Sequence, residues 1–146
     1  MEFDLAKASN KLSELDLKIT SGSFDINVLW YRVMQCSNDY IIERHTHSTI
    51  EFHFVYSGSC KVVLDDECFF ARKGEFYVTA PGIYHRQEIK EGYVEFSLNC
   101  ELIIAKEDDY EGRYIIDLLK DVGCKPFKDV TGATKIFMKV LEEAFY

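Results

Sequence analysis

Arg44-His45-Thr46-His47-Ser48-Thr49-Ile50-Glu51-Phe52-His53-Phe54-Val55-Tyr56-Ser57-Gly58 decides how the rest of the chain is read. It holds three of the four histidines, and the fourth, His85, sits in a second short stretch, Ala80-Pro81-Gly82-Ile83-Tyr84-His85. Side chains alternate between faces along an extended strand. His45 and His47 therefore share a face, and Glu51 joins them if the strand runs on. Two imidazoles and a carboxylate on one face can hold a divalent first-row metal such as Zn, Ni, Fe or Mn, and His85 would complete a four-ligand set. The same groups could instead orient a small molecule inside a barrel, or form a hydrogen-bonded cluster that satisfies buried polar atoms. His53 lies on the face of Glu51 and reads as a satisfied core residue rather than a further ligand.

Working outward, the flanking sequence is strand-like. Ile50–Tyr56 puts Glu51, His53 and Val55 on one face and Phe52, Phe54 and Tyr56 on the other, so the aromatic back needs a cover. Short strands are expected at 28–36, 40–42, 60–64, 68–71, 76–79, 85–89 and 93–98, the last two pairing across Lys90-Glu91-Gly92. Glycine turns at this cadence predict a sandwich or barrel. Aromatic residues make up 14% of the chain, which also suits pleated surfaces. Before them, residues 1–14 carry a loose helical spacing, and Leu15, Leu17 and Ile19 alternate with polar residues.

After about residue 105 the period changes. Asp108 is expected to cap a helix that ends at Gly123. A second helix runs from about Thr131, with Ala133, Ile136, Phe137, Val140, Leu141, Ala144 and Phe145 forming an apolar stripe. That helix stops mid-pattern at Tyr146, which suggests that the chain is part of a longer protein.

Composition narrows the function. The net charge of −8 leaves no basic stripe to neutralise phosphates, so this stretch should not hold DNA by itself, nor an anionic membrane. Five widely spaced cysteines without a C-x-x-C pattern read as reduced thiols of a cytoplasmic protein. No signal peptide or membrane span is visible. Trp30 and Tyr31 could stack on a flat ligand, and Arg32, Arg44 and Arg86 could take a carboxylate or phosphate.

His45-x-His47-x-x-x-Glu51, with Gly58 seven positions on, resembles the first motif of the cupin superfamily, and Gly74 with Pro81-Gly82-x-x-His85 resembles the second. The likeness spans roughly residues 40 to 90. Glu51-Phe-His-Phe-Val-Tyr-Ser-Gly58 and Gly74-Glu-Phe-Tyr-Val-Thr-Ala-Pro-Gly-Ile-Tyr-His85 are similar to the N-terminal sensor domain of AraC-type transcription regulators. That resemblance implies a mainly β, cupin-like double-stranded β-helix, a jelly-roll barrel, followed by two C-terminal helices. It divides the chain into an N-terminal arm or helix over 1–24, the barrel over 25–104 and a helical dimerisation segment over 105–146.

The same resemblance implies a bacterial, non-catalytic sensor. A small effector, a sugar or other metabolite, would bind near His45, His47, Glu51 and His85. The chain would form a homodimer through its C-terminal helix, and DNA would be bound only through a further domain after Tyr146. The alternative is a stand-alone metal-dependent cupin enzyme. The asparagine that often follows the second-motif histidine in such enzymes is absent, position 89 being Ile89.

Overall fold

The computed structural model describes residues 3–146. The chain begins with α1 (Leu5–Ser13) and continues through β1 (Leu17–Ser21), β2 (Phe24–Gln35), β3 (Tyr40–His45), β4 (Ile50–Ser57), β5 (Ser59–Val63), β6 (Cys68–Arg72), β7 (Glu75–Thr79), β8 (His85–Ile89) and β9 (Val94–Ile104). It ends with α2 (Tyr110–Asp121), the two-residue β10 (Phe127–Lys128) and α3 (Ala133–Phe145). Two antiparallel sheets face each other, ordered β1-β2-β9-β4-β7-β10 and β3-β8-β5-β6. This is the expected mainly β, cupin-like fold, built as two sheets that do not close into one continuous barrel.

Two sequence expectations need correction. His85–Ile89 and residues 93–98 do not pair across Lys90-Glu91-Gly92. β8 pairs with β3 and β5, whereas β9 pairs with β2 and β4. The turn carries the chain from one sheet to the other, and alternation alone cannot tell such a crossing from a hairpin. Nor do His45 and Glu51 share one strand. β3 ends at His45 and β4 starts at Ile50, so residues 46–49 also cross between sheets. Gly58 closes β4 in the left-handed region at φ 71°, and a Cβ there would meet the Tyr93 backbone at 3.0 Å.

The larger sheet is polar inside and aromatic outside. Phe54 and Phe96 on its outer face, with Tyr31, pack against Ala8 and Leu12 of α1 and Leu141 and Phe145 of α3. The cover that the β4 pattern demands is thus supplied by the chain's own first and last helices. Tyr31 donates its hydroxyl to the Phe137 carbonyl at 2.8 Å, and Lys11 donates to the Phe145 carbonyl at 2.8 Å. The apolar stripe of α3 is split: Leu141 and Phe145 are buried, while Ile136 and Val140 remain exposed.

α1 has a second task. β1 pairs only with residues 24–28 of β2, which leaves the remaining edge of β2 open on that side. Ser9 Oγ accepts from the Val33 amide at 3.0 Å, and Ser13 Oγ donates to the Tyr31 carbonyl at 2.9 Å. Two serines of a helix thereby do the work of a neighbouring strand and blunt an edge that could recruit another chain.

The helix starts follow local chemistry. Asp109, rather than Asp108, caps α2, because its carboxylate accepts from the Gly112 amide at 2.9 Å. α3 begins at Ala133, two residues later than expected. Gly132 sits in the left-handed region, and Asp129 accepts from the Ala133 and Thr134 amides.

Leu141→Ala should cost about 2–5 kcal/mol by removing a fully buried side chain from between sheet and helix. Ile136→Ala, at 64% exposure, should stay within about 0.5 kcal/mol of the parent. Urea unfolding of the two variants gives the comparison, and equal losses would mean that α3 does not seat by its Leu141 face.

Candidate functional site

All four histidines converge between the two sheets. His45 arrives on β3, His85 on β8 and His53 on β4, while His47 lies in the crossing from β3 to β4. The ring centroids of His45 and His85 are 4.2 Å apart, those of His45 and His47 4.9 Å, and those of His47 and His85 5.5 Å. One donor atom from each of these three lies within 4.8 Å of the others, and Glu51, His53 and His85 form a second such group. The four residues singled out in the sequence therefore come together, with His53 as a fifth.

Outside the cluster a surface clasp joins residues that flank two of them. Arg44, beside His45, makes a bidentate pair with Asp65 and stacks 3.9 Å over the ring of Tyr84, beside His85. Inside, carbonyls set the tautomers. His45 Nδ1 lies 2.8 Å from the Glu43 carbonyl and His85 Nδ1 lies 3.2 Å from that of Ile83. A carbonyl can only accept, so Nδ1 carries a proton in each ring and Nε2 is the nitrogen turned to the cluster.

His53 is of a different kind. Its Nδ1 faces Glu95 Oε1 at 2.8 Å, its Nε2 lies 3.3 Å from Glu51 Oε2, and its ring stacks on Tyr77 at 4.2 Å. Burial pulls its pKa down, but the charges and hydrogen bonds of Glu95 and Glu51 outweigh this and raise it to about 10. It is an imidazolium between two carboxylates. Glu95 also accepts from Gln87 at 3.0 Å and from the hydroxyls of Tyr93 and Tyr77. Glu51 takes the Trp30 indole N–H at 3.3 Å. Burial pulls the Glu51 pKa up, yet His53, His47 and Trp30 together hold it down at about 2. Burial, reinforced by the neighbouring His53 charge, pushes His85 down to about 4 and leaves it neutral. Burial also lowers His47.

Sequence reasoning missed Glu95, Gln87 and the Trp30–Glu51 bond. A signal for Glu95 existed: Glu95, Ser97 and Asn99 alternate with Phe96 and Leu98, which marks a strand with a polar interior face.

A cavity of about 760 Å³ opens beside the cluster. Its wall includes His45, His47, Glu51 and His53, with Trp30 and Arg32 from β2 and Ser9, Asn10 and Ser13 from α1. His85 is fully buried and stands behind this wall, backing His45 and His47. Two atoms of the cluster are left over. The Nε2 atoms of His47 and His85 are buried without an aligned hydrogen-bond partner. His47 Nε2 does lie 2.6 Å from Glu51 Oε2, but off the line a hydrogen bond needs.

The titrations set a pH profile. His53 is raised, so its contribution is complete below its ordinary value of 6.5 and is lost as pH climbs through about 10. Glu51 is depressed, so its contribution is complete above 4.5 and is lost as pH falls through about 2. His85 resists protonation down to about 4, so the unfolded chain gains relative to the folded one as pH falls from 6.5 to that value. Unfolding free energy should therefore peak near pH 6.5 and fall on both sides. Glu95→Gln should flatten the alkaline limb. Denaturation from pH 4 to 10 checks this, and an unchanging value between 6.5 and 10 would rule out a charged His53.

No curated protein matches the chain significantly. Among solved structures, it is similar to a cupin-2 domain protein from Shewanella frigidimarina, at 18% identity and a TM-score of 0.41 over 55% of this chain and 72% of that one. KdgF from a Halomonas species gives 14% identity and a TM-score of 0.45 over 60% of this chain and 89% of the other. A variant of Bacillus subtilis oxalate decarboxylase, a protein with Mn(II) centres, gives 19% identity and a TM-score of 0.43 over 62% of this chain but 28% of that enzyme. These likenesses concern the fold alone. The family model described as AraC-like ligand binding domain matches residues 27–115, from β2 into α2. The chain belongs to the AraC-like ligand-binding domain family.

Proposed function

We propose that this chain is the effector-sensing and dimerising domain of a bacterial AraC-type transcription regulator that works in the cytoplasm. The observation that carries the reading is the composition of the cavity wall. A small molecule there touches His45, His47 and Glu51 on one side and Ser9, Asn10 and Ser13 of α1 on the other. α1 in turn rests on α3. An effector that prefers one seating of α1 would bias the C-terminal helix, where Ile136 and Val140 lie exposed and available to a second copy. DNA would be met through a further domain, since this stretch carries a net charge of −8. In this reading the chain senses and does not catalyse.

The donor chemistry also fits a divalent ion, held by His45, His47 and His85 with Glu51. With Nδ1 of His45 and His85 on backbone carbonyls, Nε2 is the atom each would offer an ion, and the orphaned Nε2 atoms of His47 and His85 would gain a partner. A buried polar atom without a partner costs about 1–3 kcal/mol, so a ligand or ion that engages it recovers stability. A Zn, Ni, Fe or Mn ion bound there would supply a Lewis-acid contact for an oxygen of the effector. The chain's own residues orient that molecule: the Glu43 and Ile83 carbonyls hold the rings of His45 and His85, and Trp30 holds Glu51.

The test is a thermal-shift screen of small metabolites with and without Zn²⁺. A true effector at 100 times its dissociation constant should add about 2.7 kcal/mol of stability. It should protect amides of α1 and α3 from hydrogen exchange and be recovered unchanged after long incubation. His45→Ala/His47→Ala should lose the response and any metal seen by elemental mass spectrometry. Steady conversion of the bound molecule to a product would instead establish the metal-dependent cupin enzyme.

A further inference from the structure

Arg32 stands apart from the other charged groups of the cavity. It is the only lysine or arginine among the residues that line it, within the described chain. Its guanidinium lies 4.7 Å over the Trp30 ring and, among the described residues, has neither an ion-pair partner nor a hydrogen bond within the protein. Arg32 is exposed at the rim of the cavity, on the same face of β2 as Trp30. The cavity does hold two carboxylates, but both are spoken for. Glu51 and Glu95 share the His53 imidazolium, Glu51 also takes Trp30, and Glu95 also takes Gln87 and two phenols. With that trio in place, Arg32 faces the cavity as an uncompensated positive charge.

Beside the same indole the cavity offers complementary chemistry. The buried Nε2 of His47 lacks an aligned partner, and the His47 ring lies 5.5 Å from the same indole that carries Arg32. Such a nitrogen can share a hydrogen bond with a hydroxyl, and an ion held there takes a hydroxyl or carbonyl oxygen. Trp30 thus separates a guanidinium from an oxygen-seeking site by a span that one small molecule covers. Stacking also limits the guanidinium's rotamers, so less entropy is lost when it grips a carboxylate by two parallel hydrogen bonds.

The geometry points to an effector that is a small hydroxy- or oxo-carboxylate, with its carboxylate on Arg32 and its hydroxyl or oxo oxygen toward His45 and His47. This rests on the reading of the cavity as the effector site.

Matched probes test it: glycerate, malate and gluconate against glycerol, malamide and glucose, titrated calorimetrically into the wild-type chain, Arg32→Gln and Arg32→Lys at fixed ionic strength. Arg32 makes no contact that the fold needs beyond the indole stack, so both variants should keep the parent unfolding midpoint. At least one acid should bind the wild type roughly ten- to a hundredfold tighter than its neutral partner. Arg32→Gln should erase that preference, and Arg32→Lys should keep the charge but lose most of it, because an ammonium cannot reproduce the fork. The preference should also shrink as salt is raised.

An acid preference that survives Arg32→Gln overturns the proposal, as does binding of no acid at all. The neutral probes and the wider metabolite screen separate the two kinds of failure. Neutral molecules that bind while acids do not would leave the cavity an effector site with the wrong chemistry assigned, whereas binding of nothing would remove the effector reading with it.

Discussion

A single proton inside the sandwich organises the interior. It makes His53 an imidazolium, which bridges Glu51 on its own strand and Glu95 on the neighbouring β9. Stripping a buried pair of one partner costs about 3–5 kcal/mol, because the charge left behind has no water to turn to. Here one cation serves two anions, and two tyrosines and a glutamine complete the second of them. Much follows from that arrangement. Glu51 is held ionised beside the histidine cluster, and the positive centre helps keep His85 neutral, with its lone pair available. The interior also divides by polarity. Val55, Cys60, Val62, Ala71 and Tyr93 fill one part as an ordinary apolar core, while the cluster and its cavity take the other.

A sheet that turns polar residues inward must bury its apolar face elsewhere. β4 and β9 do this by alternation: Glu51, His53, Glu95 and Ser97 point in, and Phe54 and Phe96 point out. The helices are therefore part of the same solution as the ligand site. Without α1 and α3 the outer aromatics would form an exposed patch, and with them the molecule has a second core on the far side of the sheet.

Much of this was legible before any coordinates. Period-two alternation with glycine turns located nearly every strand, and the breadth of the α3 stripe announced a packed helix. The convergence of His45, His47, Glu51 and His85 was legible as well, though for a reason that only half held. Parity along one strand was the argument, whereas the chain in fact crosses between sheets at 46–49, so that His47 and Glu51 meet across a turn. Pairing partners were the weak point. Lys90-Glu91-Gly92 has the composition of a hairpin turn and serves as a crossing, because inward faces on β8 and β9 satisfy the same alternation whether they lie side by side or opposite. Glu95 escaped because an acid in a strand is normally a solvated one, and its partners His53, Tyr77 and Gln87 are brought to it by the packing of different strands.

The contact between Lys11 and Phe145 joins residues 134 positions apart. It imposes an order on how the molecule comes into being. A growing chain that has already made both sheets still shows Phe54 and Phe96 to its surroundings, because Leu141 and Phe145 have yet to be added. α1 has its full seat only once α3 has been made, and the cavity wall it contributes is finished only then. Such long-range closure is slow and leaves apolar surface uncovered in the interval. Recognition by this domain therefore depends on α3 as much as on the sheets that line the cavity.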